Sequence, residues 1–183
     1  MIVSKFLRVK WFNRSYVTAI VAASFILVSG VEWSHAQTGR TGPSGLPLPR
    51  FVSLKSDRVN VRIGPSRDHD VAWTFVKEGL PVEIVQEFDN WRQIRDYDGE
   101  AGWIFHKLLS GRRTALVNPE TEAKLISIYR SESNSSDLVA QLEPKVLVNV
   151  LKCSGEWCRV DVNKVTGWIA QSELYGVYPN EKF

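Results

Sequence analysis

One short pattern is written twice in this chain, and that duplication limits the fold more than any overall property does. Its first occurrence runs from Asn90 to Leu109, N-W-R-Q-I-R-D-Y-D-G-E-A-G-W-I-F-H-K-L-L in one-letter code. Apolar and charged residues interleave from Trp91 to Asp96, Asp98-Gly99 is a strong hairpin signal, and a β-rich run follows from Ala101 to Phe105. This predicts a tight hairpin with an aromatic on each arm. The pattern returns as Gly155-Glu156-Trp157-Cys158-Arg159-Val160 and Gly167-Trp168-Ile169. Trp91 and Trp157 stand 66 residues apart, Trp103 and Trp168 65, so the copies differ by one residue in the turn. A repeat of this length is expected to be two copies of one small domain.

The chain opens with Lys5, Arg8, Lys10 and Arg14 and no acid, followed by an apolar run from Val17 to Val31. Ser34-His35-Ala36 then places small residues three before and one before a cut. This is a signal-peptide profile, with cleavage expected between Ala36 and Gln37 and the product in the periplasm without a stable membrane anchor. The competing reading is an uncleaved anchor; the apolar run of about 15 residues is shorter than the roughly 20 that span a bilayer. Losing residues 1–36 removes the whole formal net charge of +3 and leaves 19 basic against 19 acidic side chains. A neutral mature chain gives no reason to expect a nucleic-acid partner. Residues 37–50, rich in Gly and Pro, are expected to form a flexible linker.

Residues 51–110 hold short β-branched runs from Arg58 to Ile63, Val71 to Val76, Pro81 to Glu87, Trp91 to Asp96 and Ala101 to Phe105, punctuated by turn residues. A second set lies between residues 115 and 176: Lys124 to Arg130, Asp137 to Leu142, Val146 to Lys152, Trp157 to Val162 and Val165 to Ala170. Residues 177–183 are left as a tail. Five or so strands in about 60 residues, with no helical period, predict an all-β protein of two tandem small barrels. Domains of this size bury only about 60% of their unfolded surface, so the two are expected to lean on each other.

Asn60-Val61-Arg62-x-Gly64-Pro65, Gly79-x-Pro81-Val82, Trp91-x-x-Ile94 and Gly102-Trp103-Ile104-x-x-x-x-Leu109 together resemble the bacterial SH3 domain. The chain is most similar to the tandem SH3-like form found in exported proteins of Gram-negative bacteria. In the second copy Tyr129-Arg130-Ser131-Glu132 stands where the first has its Val-Arg-x-Gly-Pro turn. The resemblance implies two SH3-like barrels and a non-catalytic binding or targeting role toward cell-wall peptidoglycan, by stem peptide or glycan. A protein of the cell envelope is the alternative partner, in a scaffold role.

The only cysteines, Cys153 and Cys158, flank Ser154-Gly155-Glu156-Trp157. In an exported chain an even pair at hairpin spacing predicts a disulfide. Cys153-Ser154-Gly155 also resembles, faintly, the Cys-Ser-Gly nucleophile motif of cell-wall endopeptidases. That chemistry needs a histidine base beside the thiolate, and no histidine follows Cys153. His69 and His106 are expected at the surface. No catalytic residue, no metal set and no cofactor is expected.

Aromatic side chains remain as candidates for binding. Trp103 and Trp168 are expected to fill the two cores. Trp91, which follows the Asp89-Asn90 turn, is expected to stand exposed at the barrel edge, where its counterpart in the resembled family lines the ligand groove. The loop from Gly64 to Asp70 would form the opposite wall. The candidate ligand residues are therefore Trp91, Arg95, Trp73 and Tyr97, with Arg95 placed to meet a carboxylate.

Overall fold

The structure, a computed structural model, describes residues 40–118 and 125–183. The expected signal peptide and its cleavage site lie outside the described residues. Among the described residues every regular element is a strand or a single 3-10 turn. After a two-residue pair, β1 (Arg40–Thr41) and β2 (Pro47–Leu48), the first copy contains β3 (Arg50–Leu54), β4 (Val59–Arg62), β5 (Val71–Phe75), β6 (Pro81–Phe88), β7 (Trp91–Arg95), β8 (Ala101–Phe105) and β9 (Leu109–Ser110). They form one antiparallel sheet in the order β5-β4-β8-β7-β6-β3-β9. The second copy contains β10 (Thr114–Val117), β11 (Ile126–Tyr129), β12 (Leu138–Leu142), β13 (Leu147–Cys153), β14 (Trp157–Val162), β15 (Val165–Ala170) and β16 (Leu174–Tyr175). Its order, β12-β11-β15-β14-β13-β10-β16, repeats the first strand for strand.

Each sheet wraps a core that is almost wholly aliphatic. Val59, Val61, Val82, Ile84, Ile94 and Ile104 are buried in the first, and Ile126, Ile128, Val148, Val160 and Ile169 in the second. The expectation that Trp103 and Trp168 fill the cores is corrected here: both are half-buried on the outer face. Side chains alternate across a strand, so in each Gly-Trp-Ile unit the glycine and isoleucine share the inward face and the tryptophan points away. The glycine is required by close packing. A Cβ at Gly102 would run into Val61, and one at Gly167 into Ile128.

Two segments expected to be loose are built into the fold. Residues 40–50, read as a linker, form the β1–β2 hairpin, and Leu48 enters the first core at 6% exposure. Glu87 holds this hairpin down: it accepts from the Ser44 N–H (2.8 Å), the Ser44 hydroxyl (2.7 Å) and Arg50 (2.6 Å), and pairs with Arg92 at 3.1 Å. Burial disfavours the charge on Glu87, but the Ser44 N–H, the Arg50 guanidinium and the Ser44 hydroxyl outweigh it and hold its pKa at about 2. Residues 177–183, read as a tail, pack back on the second copy. Val177 joins its core, Phe183 exchanges two backbone hydrogen bonds with Cys153, and Glu181 makes a bidentate pair with Arg113.

Candidate functional site

The outer face of β4, β8 and β7 carries a groove of about 350 Å³ lined by Arg58, Asn60, Arg62, Arg67, Trp91, Phe105 and Leu108. Local periodicity puts them there. On β4 the buried Val59 and Val61 alternate with Asn60 and Arg62, and Arg58 precedes them in the same phase. Trp91 faces Phe105 directly across the β7–β8 ladder, and their rings meet edge to face at 5.7 Å. The remaining wall comes from the loop after β4, closed at its base by the Ile63 N–H donating to the Asp70 carbonyl. From that loop Arg67 lays its guanidinium over Phe105, 5.7 Å from the ring centroid. Arg62 reaches back along the loop to the His69 carbonyl at 2.5 Å.

Of the four candidates read from the sequence, Trp91 alone lines this groove, and not as an exposed platform. It is only 8% exposed, because Phe105 covers one side of the indole, yet it lies outside the aliphatic core cluster. It is the floor of the groove. Arg95 shares Trp91's strand face but sits four residues on, roughly 13 Å away at the usual rise. There it is engaged with Glu83 through two hydrogen bonds of 3.0 and 2.6 Å, which raise its pKa further. Tyr97 lies beside Tyr175 of the second copy, ring centroids 6.4 Å apart. Trp73 packs on the first core at 6.1 Å from Phe75. Arg95 and Tyr97 thus belong to the seam between the copies and Trp73 to the barrel wall.

Sequence reasoning missed Arg58 and Arg67 as groove residues and met Arg62 only inside a family motif. The alternation Arg58-Val59-Asn60-Val61-Arg62 is the signal that could have placed two of them on one outward face.

The second copy has a hollow of about 530 Å³ beside Trp157, which Asn134 and Ala170 line together with Gln171, Val177 and Pro179 near the C-terminus. Tyr129 lies edge-on to Trp157 at 6.0 Å. Matching ladder partners equate Arg62, which faces Trp103, with Tyr129, which faces Trp168. The same register equates Arg58 with Leu125 and Arg67 with Asn134. The cationic lining is therefore confined to the first copy.

Cys153 and Cys158 face each other across β13–β14 and are joined as a disulfide. The thiolate that a Cys-Ser-Gly nucleophile requires is thereby removed. Among the described residues no group of three or more His, Cys, Asp and Glu side chains is arranged to hold a metal ion. Among them, too, no helix is long and apolar enough to cross a membrane.

One curated relative is similar over 127 residues at 22% identity, the Bacillus subtilis (strain 168) protein named "Putative N-acetylmuramoyl-L-alanine amidase YrvJ". The match covers 64% of this chain and 24% of that protein, so the chain spans about a quarter of its relative. Among solved structures it is similar to NlpC2 of Trichomonas vaginalis (14% identity, 69% of this chain and 48% of that one, TM-score 0.32). Another is an NlpC/P60 family protein from Bacillus cereus ATCC 10987, at 10% identity, 70% and 57% coverage and a TM-score of 0.29. The family model of the bacterial SH3 domain matches twice, over residues 55–111 and 122–176. With more than half of its length matched and the same sheet built twice, the chain belongs to the bacterial SH3 domain family as a tandem pair.

Proposed function

We propose that this protein is a non-catalytic binding module of the cell envelope that docks on peptidoglycan, by stem peptide or glycan, through the groove of its first copy. The observation that carries the reading is the Trp91–Phe105 floor lying beneath Arg58, Arg62 and Arg67. An aromatic floor with a few convergent polar groups is how small concave sites hold sugars and peptides. Family membership supports the reading, since bacterial SH3 domains are binding domains, often for the cell wall. The relative from Bacillus subtilis is named as a putative N-acetylmuramoyl-L-alanine amidase, and its match lies within about a quarter of its length. The disulfide fits an oxidising compartment, in accord with a chain that begins at Gln37 in the periplasm. Catalysis forms no part of the proposal, because both cysteines are bridged and no thiolate is free.

The test is co-sedimentation of the chain beginning at Gln37 with sacculi stripped of protein. Retention in the pellet, with no other protein present, is the expected result. A chain that stays in the supernatant but is captured by an envelope protein overturns wall docking in favour of the scaffold role.

A further inference from the structure

Several arginines outside the groove are paired with a carboxylate, and those lining it are not. Arg50 and Arg92 converge on Glu87, Arg95 on Glu83 and Arg113 on Glu181. Among the described residues no carboxylate forms an ion pair with Arg58, Arg62 or Arg67. Arg62 is tied through one guanidinium nitrogen to a neutral carbonyl, and Arg67 rests on an aromatic face. Three guanidiniums lining one groove without a counter-charge repel one another. An anion entering between them relieves that repulsion and gains charge-assisted, potentially bidentate hydrogen bonds. The second copy shows that the fold does not demand this lining, since Leu125, Tyr129 and Asn134 occupy the equivalent places in the same sheet.

We propose that the first-copy groove recognises carboxylates of an acidic peptide, held by Arg58, Arg62 and Arg67 above the Trp91–Phe105 floor, and that the second copy does not. The proposal rests on the peptidoglycan reading and narrows it from wall material in general to the carboxylate-bearing peptide. Carboxylate fits better than a neutral glycan because the groove presents fixed cations that a hydroxyl-rich sugar would leave unpaired. The aromatic floor accounts for a peptide, which brings apolar side chains or backbone to stack on it. The cationic groups come from two separate elements, the β4 face and the following loop, so a carboxylate set between them is gripped from two sides.

The experiment uses the chain beginning at Gln37 and muropeptides released from sacculi, with free carboxylates or with the same carboxylates amidated. Binding is followed by calorimetry at low and high salt. Wild type should bind the free acid about tenfold more tightly than the amide, the difference expected for one lost charge-assisted pair. Its affinity for the acid should fall as salt rises. Arg58→Gln with Arg67→Gln should weaken the acid by tenfold or more and abolish the discrimination. Both arginines are exposed, so the fold should survive, which a melting curve confirms. Arg62 is left in place because it ties down the loop. Arg159→Gln, an exposed cation on β14 of the second copy, should bind as wild type.

Equal affinity for acid and amide, or wild-type binding by the double variant, overturns the inference. If either occurs while sacculi still retain the protein, wall docking stands without carboxylate recognition. A glutamate-rich peptide bound in an arginine-dependent way, with no retention on sacculi, sinks the wall reading. Carboxylate recognition then stands, its source being an acidic segment of a protein.

Discussion

Trp91 and Trp103 lie on the same outer face of the β7–β8 hairpin, yet their surroundings differ, because only Trp91 is closed over by its neighbours. Replacing Trp91 by alanine opens a cavity between Phe105 and the groove wall. The expected cost is about 3 kcal/mol, at the low end for a buried tryptophan since one side already borders solvent. Trp103→Ala, taken from a half-exposed site outside the core, should cost about 1 kcal/mol or less. This reverses the order expected from the sequence, and chemical denaturation of the two variants decides it: Trp103→Ala unfolding first would return Trp103 to the core. Trp91's place at the start of its strand could be read from the sequence, because a turn precedes it, and its place at a groove was what the SH3 resemblance implied. Its burial could not, since the rings and loop that cover it come from elsewhere in the chain. Arg95's distance from the groove has a similar origin. Its strand face was right, but the Glu83 opposite it in the β6–β7 ladder claims its charge. A second residue-scale expectation concerns Glu87, whose pKa drops from 4.5 to about 2 on folding. A depressed carboxylate stabilises the fold above its unfolded pKa, and that contribution is lost as pH falls from 4.5 toward 2. The interval corresponds to on the order of 3 kcal/mol. Urea midpoints taken across this range should fall steeply for wild type. For Glu87→Gln they should start lower at neutral pH and fall less steeply, the remainder coming from Glu181, whose pKa is also lowered, its burial outweighed chiefly by Arg113; parallel curves would mean that Glu87 is not the group being titrated.

At the scale of elements, the duplication was readable because turns and alternation are local properties. The predicted β7 and β8 runs and their second-copy partners β14 and β15 appear with nearly the expected ends, and the one-residue difference lies in the turn. Residues 96–100 connect the first pair, with Asp96 accepting from the Asp98 and Glu100 N–H groups. Asn163 and Lys164, both at positive φ, make the tighter second turn. Strands β3 and β10 escaped notice because each opens its copy in sequence, and its pairing with β6 or β13 is long-range and leaves little local signal. The docking of residues 40–50 was hidden likewise, since Glu87 lies about 40 positions away from the serine and arginine it binds. The disulfide clamps the β13–β14 hairpin and, through Cys153, the returning Phe183 backbone. Closing so short a ring is worth about 2 kcal/mol in the chain-entropy model. Cys153→Ala with Cys158→Ala should lower stability by about that amount and expose residues 177–183 to carboxypeptidase. Loss of neither stability nor protection would mean the bridge is incidental to the hairpin.

The two copies are held together by an aromatic seam in which the C-terminal segment of the second grips the first. Tyr178 donates to Glu83 at 2.9 Å, the same carboxylate that Arg95 holds from within the first copy. Tyr175 donates to the Arg95 carbonyl at 3.1 Å. Phe51 fills the space between them, 4.8 Å from the Tyr178 ring and 5.3 Å from that of Tyr175. Burial, followed by the Glu83 carboxylate, pushes both phenols above their ordinary pKa, so they stay protonated donors throughout the physiological range. Beside the seam, Thr114 donates to the Gly79 carbonyl and shares a hydrogen bond with Ser53, both at 2.6 Å, so that the short connection between the copies is itself anchored. Each barrel alone is small enough to be marginal, and the seam should make them unfold as one unit. Tyr175→Phe with Tyr178→Phe keeps the rings and removes only the two hydroxyl bonds, one of them to a charged group. The expected loss is on the order of 2 kcal/mol, confined to the coupling between the copies. Wild type should show one urea transition by tryptophan fluorescence and by far-UV dichroism alike. The double variant should show two by either probe, because the barrels would then unfold separately, each with its own tryptophans: Trp73, Trp91 and Trp103 in the first, Trp157 and Trp168 in the second. The first-copy groove lies on β4, β7 and β8, away from the hydroxyl contacts, so muropeptide binding should persist in the double variant. A single transition as late as that of wild type would show that the rings alone, and not their hydroxyls, join the two barrels.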